Sequence, residues 1–197
     1  MSDDHKTKMQ EVQAKQRKRI SELKDPEKGL VLVHTGNGKG KSSSAFGVII
    51  RALGWGQKVG VVQFIKGTWK TGERQFFEKL EEVTWHSMGE GFTWDTQDKD
   101  RDIAAAEAAF AKGREMLESG EYDLVVMDEI NIAMRYDYLS VADVLAGLEA
   151  RHKRTGVILT GRDAKPELCD YADLVTEMTE VKHPFKNGIK AQRGVDF

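Results

Sequence analysis

The chain has 197 residues, 40% hydrophobic and 31% charged, with a formal net charge of -2. That is enough for one ordinary core, and it excludes both a disordered chain and a broadly basic nucleic-acid surface. No apolar run approaches bilayer length, no apolar stretch follows Met1-Ser2-Asp3-Asp4, and the single Cys169 can form neither an internal disulfide nor a cysteine metal cluster. A reducing, cytoplasmic location is therefore expected, with neither membrane nor nucleic acid as partner.

Two parts are expected: residues 1–28, and one domain over 29–197. The first is lysine- and glutamine-rich, with a cationic run at Lys15, Arg17, Lys18 and Arg19 and a thin apolar stripe at Met9, Val12, Ile20 and Leu23. A solvated tail is the expected state, and a helix capping a ligand site or a neighbouring subunit is the alternative. Asp25-Pro26 closes it, because the residue before proline is driven out of the helical region.

Beyond it, Leu30 to Val33 reads as a strand, followed by a glycine-rich turn and a helix from Ser42 to Leu53. Phe46, Ile49, Ile50 and Leu53 share one face of that helix, and Gly54 stands where a C-terminal cap belongs. Val59 to Ile65 is a second strand, Glu73 to Leu80 a helical stretch, and Val83 to Ser87 a short strand. Asp98 to Ser119 is a long alanine-rich helix with Ile103, Phe110 and Leu117 seven apart. Leu124 to Met127 is a strand running into Asp128 and Glu129. Ser140 caps a helix whose face is Val141, Val144, Leu145 and Leu148, and Val157–Leu159 and Leu174–Val175 are two further strands. Continuous apolar strands separated by helices imply a three-layer α/β fold around a mostly parallel sheet. Such sheets bind ligands at the carboxyl ends of their strands.

The polar motifs fall at those ends. Thr35-Gly36-Asn37-Gly38-Lys39-Gly40-Lys41-Ser42, between a strand and a helix, is a phosphate loop. Its glycines let backbone N–H groups converge on an anion, the helix start adds unpaired amides, Lys41 reaches phosphate oxygens, and Ser42 offers a hydroxyl to Mg²⁺. Gly36 to Ser43 are thus expected to hold a nucleoside triphosphate. The usual spacing places the first glycine at position 35, where this chain has Thr35, so the loop is one residue short. Asp128 and Glu129, ending a strand, are candidate Mg²⁺ carboxylates, and Arg162 in Thr160-Gly161-Arg162 could reach the same phosphates. Glu73, Gln97 and Asp128 could each orient a nucleophile, and the spacing selects none of them. Two rings in a polar loop, Gly91-Phe92-Thr93-Trp94, must either fill a core or pack on a flat ligand. From the residues alone, core packing is the default. His34, His86 and Cys169 read as structural.

Several of these stretches resemble the ATP:corrinoid adenosyltransferase family of P-loop type. They are the phosphate loop, Val61-Val62-Gln63-Phe64-Ile65-Lys66-Gly67, Gly91 to Trp94, Asp128-Glu129, Arg135-Tyr136-Asp137-Tyr138-Leu139, and the closing run Val181 to Phe185 and Lys190 to Phe197. The resemblance covers residues 29–197 in order. It implies a recombinase-like P-loop fold, a homodimer, and transfer of the 5′-deoxyadenosyl group of ATP to the cobalt of a reduced corrinoid, with release of triphosphate. A reversed triphosphate in the shortened loop is also implied. Phe92 and Trp94 match rings that displace the corrinoid's lower axial ligand, which makes them catalytic candidates beside Lys41. Lys182 and His183 match the closing segment without an independent physical role. A reduced flavoprotein is the electron donor the resemblance implies. A kinase or ATPase releasing ADP and a nucleotide-binding regulator without turnover are the rival readings.

Overall fold

The computed structural model describes residues 2–64, 71–87 and 99–196. Six strands, β1 (Val31–Thr35), β2 (Val59–Gln63), β3 (Val83–Ser87), β4 (Leu124–Asp128), β5 (Gly156–Thr160) and β6 (Leu174–Glu177), form one parallel sheet in the order β3-β2-β4-β5-β1-β6. Because side chains alternate along a strand, Val125 and Met127 enter one core while Leu124 and Val126 enter the other. That two-sided burial is why the central strands β2, β4 and β5 read as apolar runs, while the edge strands β3 and β6 are only partly buried or exposed.

One face is covered by α2 (Lys41–Gly54) and α3 (Gly72–Phe77), which pack Phe46, Ile49 and Phe77 on the sheet. The other carries α4 (Lys99–Ser119), α5 (Ile130–Arg135), α6 (Val141–Ala150) and α7 (Pro166–Tyr171) over Val33, Val62 and Leu159. The expected three-layer α/β arrangement is therefore present. Ser140 caps α6 by accepting from the Asp143 amide at 3.0 Å, as its position predicts.

Several expectations need correction. The left-handed glycine after α2 is Gly56, at φ 70, while Gly54 ends the helix itself. Ile50 does not share the buried face of α2 and is 60% exposed. The two six-residue helices α5 and α7 escape periodicity, since α5 is buried over five successive residues and α7 is too short to repeat. Residues 2–21 form a helix, α1, and residues 5–28 are exposed throughout, Met9, Val12, Ile20 and Leu23 included, so the segment combines the solvation expected of a tail with the helix held as the alternative. No helix among the described residues is long and apolar enough to cross a membrane.

Candidate functional site

The carboxyl ends of β1, β4 and β5 lie side by side in the sheet order, and the phosphate loop leaves β1 there. Gly36 has φ 92, and a Cβ on it would stand 2.5 Å from the carbonyl oxygen of Met178, just beyond β6. Gly38 donates its N–H to that oxygen at 2.6 Å, and a Cβ on Gly38 would meet it at 2.7 Å. The loop is thus laid directly on the backbone that follows β6, and only glycine fits the contact. Gly38→Ala is expected to lift the loop and to weaken ATP binding by about tenfold or more. Isothermal titration checks this, and unchanged affinity would show that the contact is dispensable.

At the loop's far end Gly40 precedes α2 without a capping side chain, and the helix has no acidic residue in its first turn. Its first amides remain available to an anion. The Lys41 Nζ turns back over the loop and donates to the Gly36 carbonyl at 2.9 Å and the Gly38 carbonyl at 2.6 Å. Burial lowers its pKa, and the Glu129 carboxylate works in the opposite direction. His34, buried at the end of β1, lies with Nδ1 3.3 Å from the Lys41 carbonyl and so ties the strand to the first turn of α2.

The two carboxylates are held differently. Asp128 is 2% exposed and accepts from Thr160 Oγ1 at 2.8 Å, from Gln63 Nε2 at 3.2 Å and from the Ser42 hydroxyl. Desolvation pushes its pKa up, and these three donors oppose the shift. Glu129 occupies a left-handed backbone conformation at φ 65, which costs a side-chain-bearing residue about 1–2 kcal/mol. Its N–H donates to Thr160 Oγ1 at 2.9 Å. Its Oε2 is buried with no hydrogen-bond partner among the described residues. Burial and the neighbouring Asp128 charge raise its pKa to about 7.

This sets a sign for the pH dependence. Between the ordinary carboxylate range and pH 7, the folded chain keeps a proton on Glu129 that the unfolded chain has released, so stability falls as pH rises through that window. Glu129→Gln is expected to raise the thermal midpoint of the metal- and nucleotide-free protein at pH 8, with no gain at pH 4. A midpoint at pH 8 equal to or below that of the unaltered chain would show the buried charge to be compensated.

Together these groups border a cavity of about 410 Å³. Gly38 to Ser43 form its floor, Asp128 and Glu129 one wall, Phe46 and Ile132 apolar patches, and Arg162 its rim. Arg162 is aimed by its neighbours: the Gly161 N–H donates to the His34 carbonyl at 3.1 Å, and the Asn131 amide donates to the Gly161 carbonyl at 3.0 Å. Gly40, Lys41, Ser42, Ser43, Asp128, Glu129 and Arg162 are therefore brought together as expected. Asn37 faces an adjoining cavity with Arg162 and Lys186. Lys39 lines the same cavity as Lys41, but its ammonium is paired with the Asp196 carboxylate from the C-terminal segment. Phe92, Trp94 and Gln97 lie outside the described residues. Sequence reading missed Thr160 as a site residue and weighed Gln63 and Asp196 only within family motifs.

The family model for ATP:corrinoid adenosyltransferase BtuR/CobO/CobP matches residues 27–197. A corrinoid adenosyltransferase of Pseudomonas aeruginosa is 54% identical over 194 residues, 98% of this chain and 95% of that protein. One from Salmonella typhimurium is 43% identical over 198 residues, covering 100% of both chains. Among solved structures, a RadB recombinase aligns with a TM-score of 0.46 at 17% identity, covering 80% of this chain and 78% of that one.

Proposed function

Because the chain belongs to the ATP:corrinoid adenosyltransferase family, we propose that its phosphate loop grips the triphosphate of ATP as a leaving group while the cobalt of a reduced corrinoid attacks the 5′ carbon. The cobalt(I) lone pair forms the cobalt–carbon bond, and the C5′–O bond breaks with its electron pair leaving on triphosphate. A nucleophile of that strength comes with the substrate, so the protein is not asked for a general base. Its work is alignment, and stabilisation of charge that gathers on the departing oxygens.

The observation that carries this reading is the convergence of Lys41, Ser42 and Glu129 on one cavity at the ends of β1 and β4. The donor set fits Mg²⁺, which takes one or two carboxylates and substrate phosphates rather than a closed protein cage. Ser42 and Glu129 would hold it directly, and Asp128, with its oxygens engaged by Thr160, Gln63 and Ser42, would orient the Ser42 hydroxyl. A bound Mg²⁺ supplies positive charge against the polyphosphate. Loop amides between Gly36 and Gly40 other than that of Gly38, which is held by the Met178 carbonyl, complete the anion site with Lys41 and Arg162, and the triphosphate lies in reversed sense in the shortened loop. An incoming triphosphate competes with Asp196 for Lys39.

Phe92 and Trp94 are assigned to the corrinoid, where they displace its lower axial ligand and make cobalt(II) easier to reduce. A reduced flavoprotein as donor, a homodimer, a cytoplasmic location and a place in adenosylcobalamin synthesis or corrinoid salvage complete the proposal. The test is anaerobic incubation with Mg²⁺, ATP and chemically reduced corrinoid. A light-sensitive alkylcobalt spectrum is the expected product. Its absence with folded protein, accompanied by ADP, would favour the kinase reading instead.

A further inference from the structure

The end of β5 holds a hydroxyl that bonds both the carboxylate of Asp128 and the backbone N–H of Glu129. Thr160 is fully buried, and β5 lies between β4 and β1 in the sheet. The pairing of Met127 with Leu159 sets Thr160 beside Asp128, one residue further along both strands. Its Oγ1 donates its single proton to Asp128 Oδ1 at 2.8 Å, so its lone pairs are left to accept, and one receives the Glu129 N–H at 2.9 Å. Glu129 is at that point in a left-handed conformation, φ 65 and ψ 17, as N-cap of α5, and makes no side-chain cap bond there.

We infer that Thr160 is a positioning residue for Glu129: by holding the Glu129 amide in this turn it keeps the side chain at the wall of the phosphate cavity. The inference rests on the proposal that Glu129 meets Mg²⁺ at the polyphosphate. The chemistry is specific to a hydroxyl, because the position must donate to one group and accept from another at the same atom. Valine has the same shape and can do neither. It would leave the buried Asp128 oxygen short of a donor and the Glu129 N–H without an acceptor, and the turn that aims the carboxylate would lose its anchor. Serine keeps both bonds. Asn131 tethers the next residue by donating to the Gly161 carbonyl at 3.0 Å, so the carboxylate and the rim arginine are fixed by the same strand end.

Equilibrium titration of ATP, with Mg²⁺ and separately with EDTA, tests this without turnover. In Thr160→Val the affinity for ATP with Mg²⁺ is expected to fall by about 10–100-fold, the range for losing an outer partner of a metal ligand. The affinity in EDTA stays within about twofold, and Thr160→Ser restores the Mg²⁺-dependent part. In a Glu129→Gln background, Thr160→Val adds no further loss of Mg²⁺ dependence. Thr160→Ala gives the same comparison where the valine variant does not fold. Equal losses with Mg²⁺ and with EDTA would overturn the inference, since a merely structural residue acts that way. So would a valine variant that matches serine. An unaltered protein whose ATP affinity ignores Mg²⁺ would overturn it as well, while leaving adenosyl transfer to be judged by its own product assay.

Discussion

Lys41→Ala is expected to lower kcat for adenosyl transfer by about 10²–10³-fold, the loss seen when one preorganised donor to developing negative charge is removed. The side chain has two linked tasks. Its ammonium bridges the Gly36 and Gly38 carbonyls, at 2.9 and 2.6 Å, and so holds the backbone that presents the amides. On the proposed reading the same cation would face the phosphate oxygens of ATP, on which charge would rise as the C5′–O bond lengthens. Arginine is not an adequate replacement, because a planar guanidinium cannot place a compact charge between two carbonyls of so tight a loop. Corrinoid affinity is expected to stay within about twofold, since the proposed partner of this cation is the polyphosphate. Stopped-flow alkylation from preformed cobalt(I) separates the two quantities. An unchanged rate would remove Lys41 from the phosphate site.

Phe92→Ala and Trp94→Ala are expected to divide the reaction differently. Starting from cobalt(II) with a reductant, turnover should fall by about an order of magnitude or more. Starting from chemically prepared cobalt(I), it should change by only about twofold. The reason lies in the cobalt: removing an axial donor lowers the orbital that receives the electron, so rings that strip the lower ligand help reduction and nothing after it. Electron paramagnetic resonance of the corrinoid–protein complex gives an independent readout, because the four-coordinate cobalt(II) signal should vanish in both variants. Equal losses in the two assays, with that signal retained, would return both rings to ordinary packing.

The middle of the sheet was open to sequence reading because burial on both faces writes β1, β2, β4 and β5 as apolar runs, and the half-buried edge strand Val83–Ser87 also appeared with its bounds intact. The phosphate loop was equally legible, since glycine spacing and a Lys-Ser ending are local properties. The wiring around it was not. Thr160, Gln63 and Asp196 reach their partners across 31, 65 and 157 positions, and nothing in a threonine, a glutamine or a terminal aspartate announces such a contact. The division of labour between the carboxylates had the same origin. Asp128 and Glu129 are equivalent in sequence and separate only when the backbone of Glu129 turns left-handed and leaves one oxygen without a donor. For residues 2–21 the helix was only the alternative to a solvated tail, for the opposite reason. A helix polar on nearly every face and exposed from residue 5 onward lacks the broad apolar stripe that betrays a buried one.

ATP labelled with carbon-14 in the adenosine and phosphorus-32 in the γ-phosphate addresses the central claim most directly. On the proposed reading the polyphosphate departs whole, so the carbon label is expected in the alkylcobalt product. The phosphorus label should appear in intact inorganic triphosphate, in equal amount. Phosphorus-32 recovered as orthophosphate, with all the carbon label still in ADP, would contradict the account.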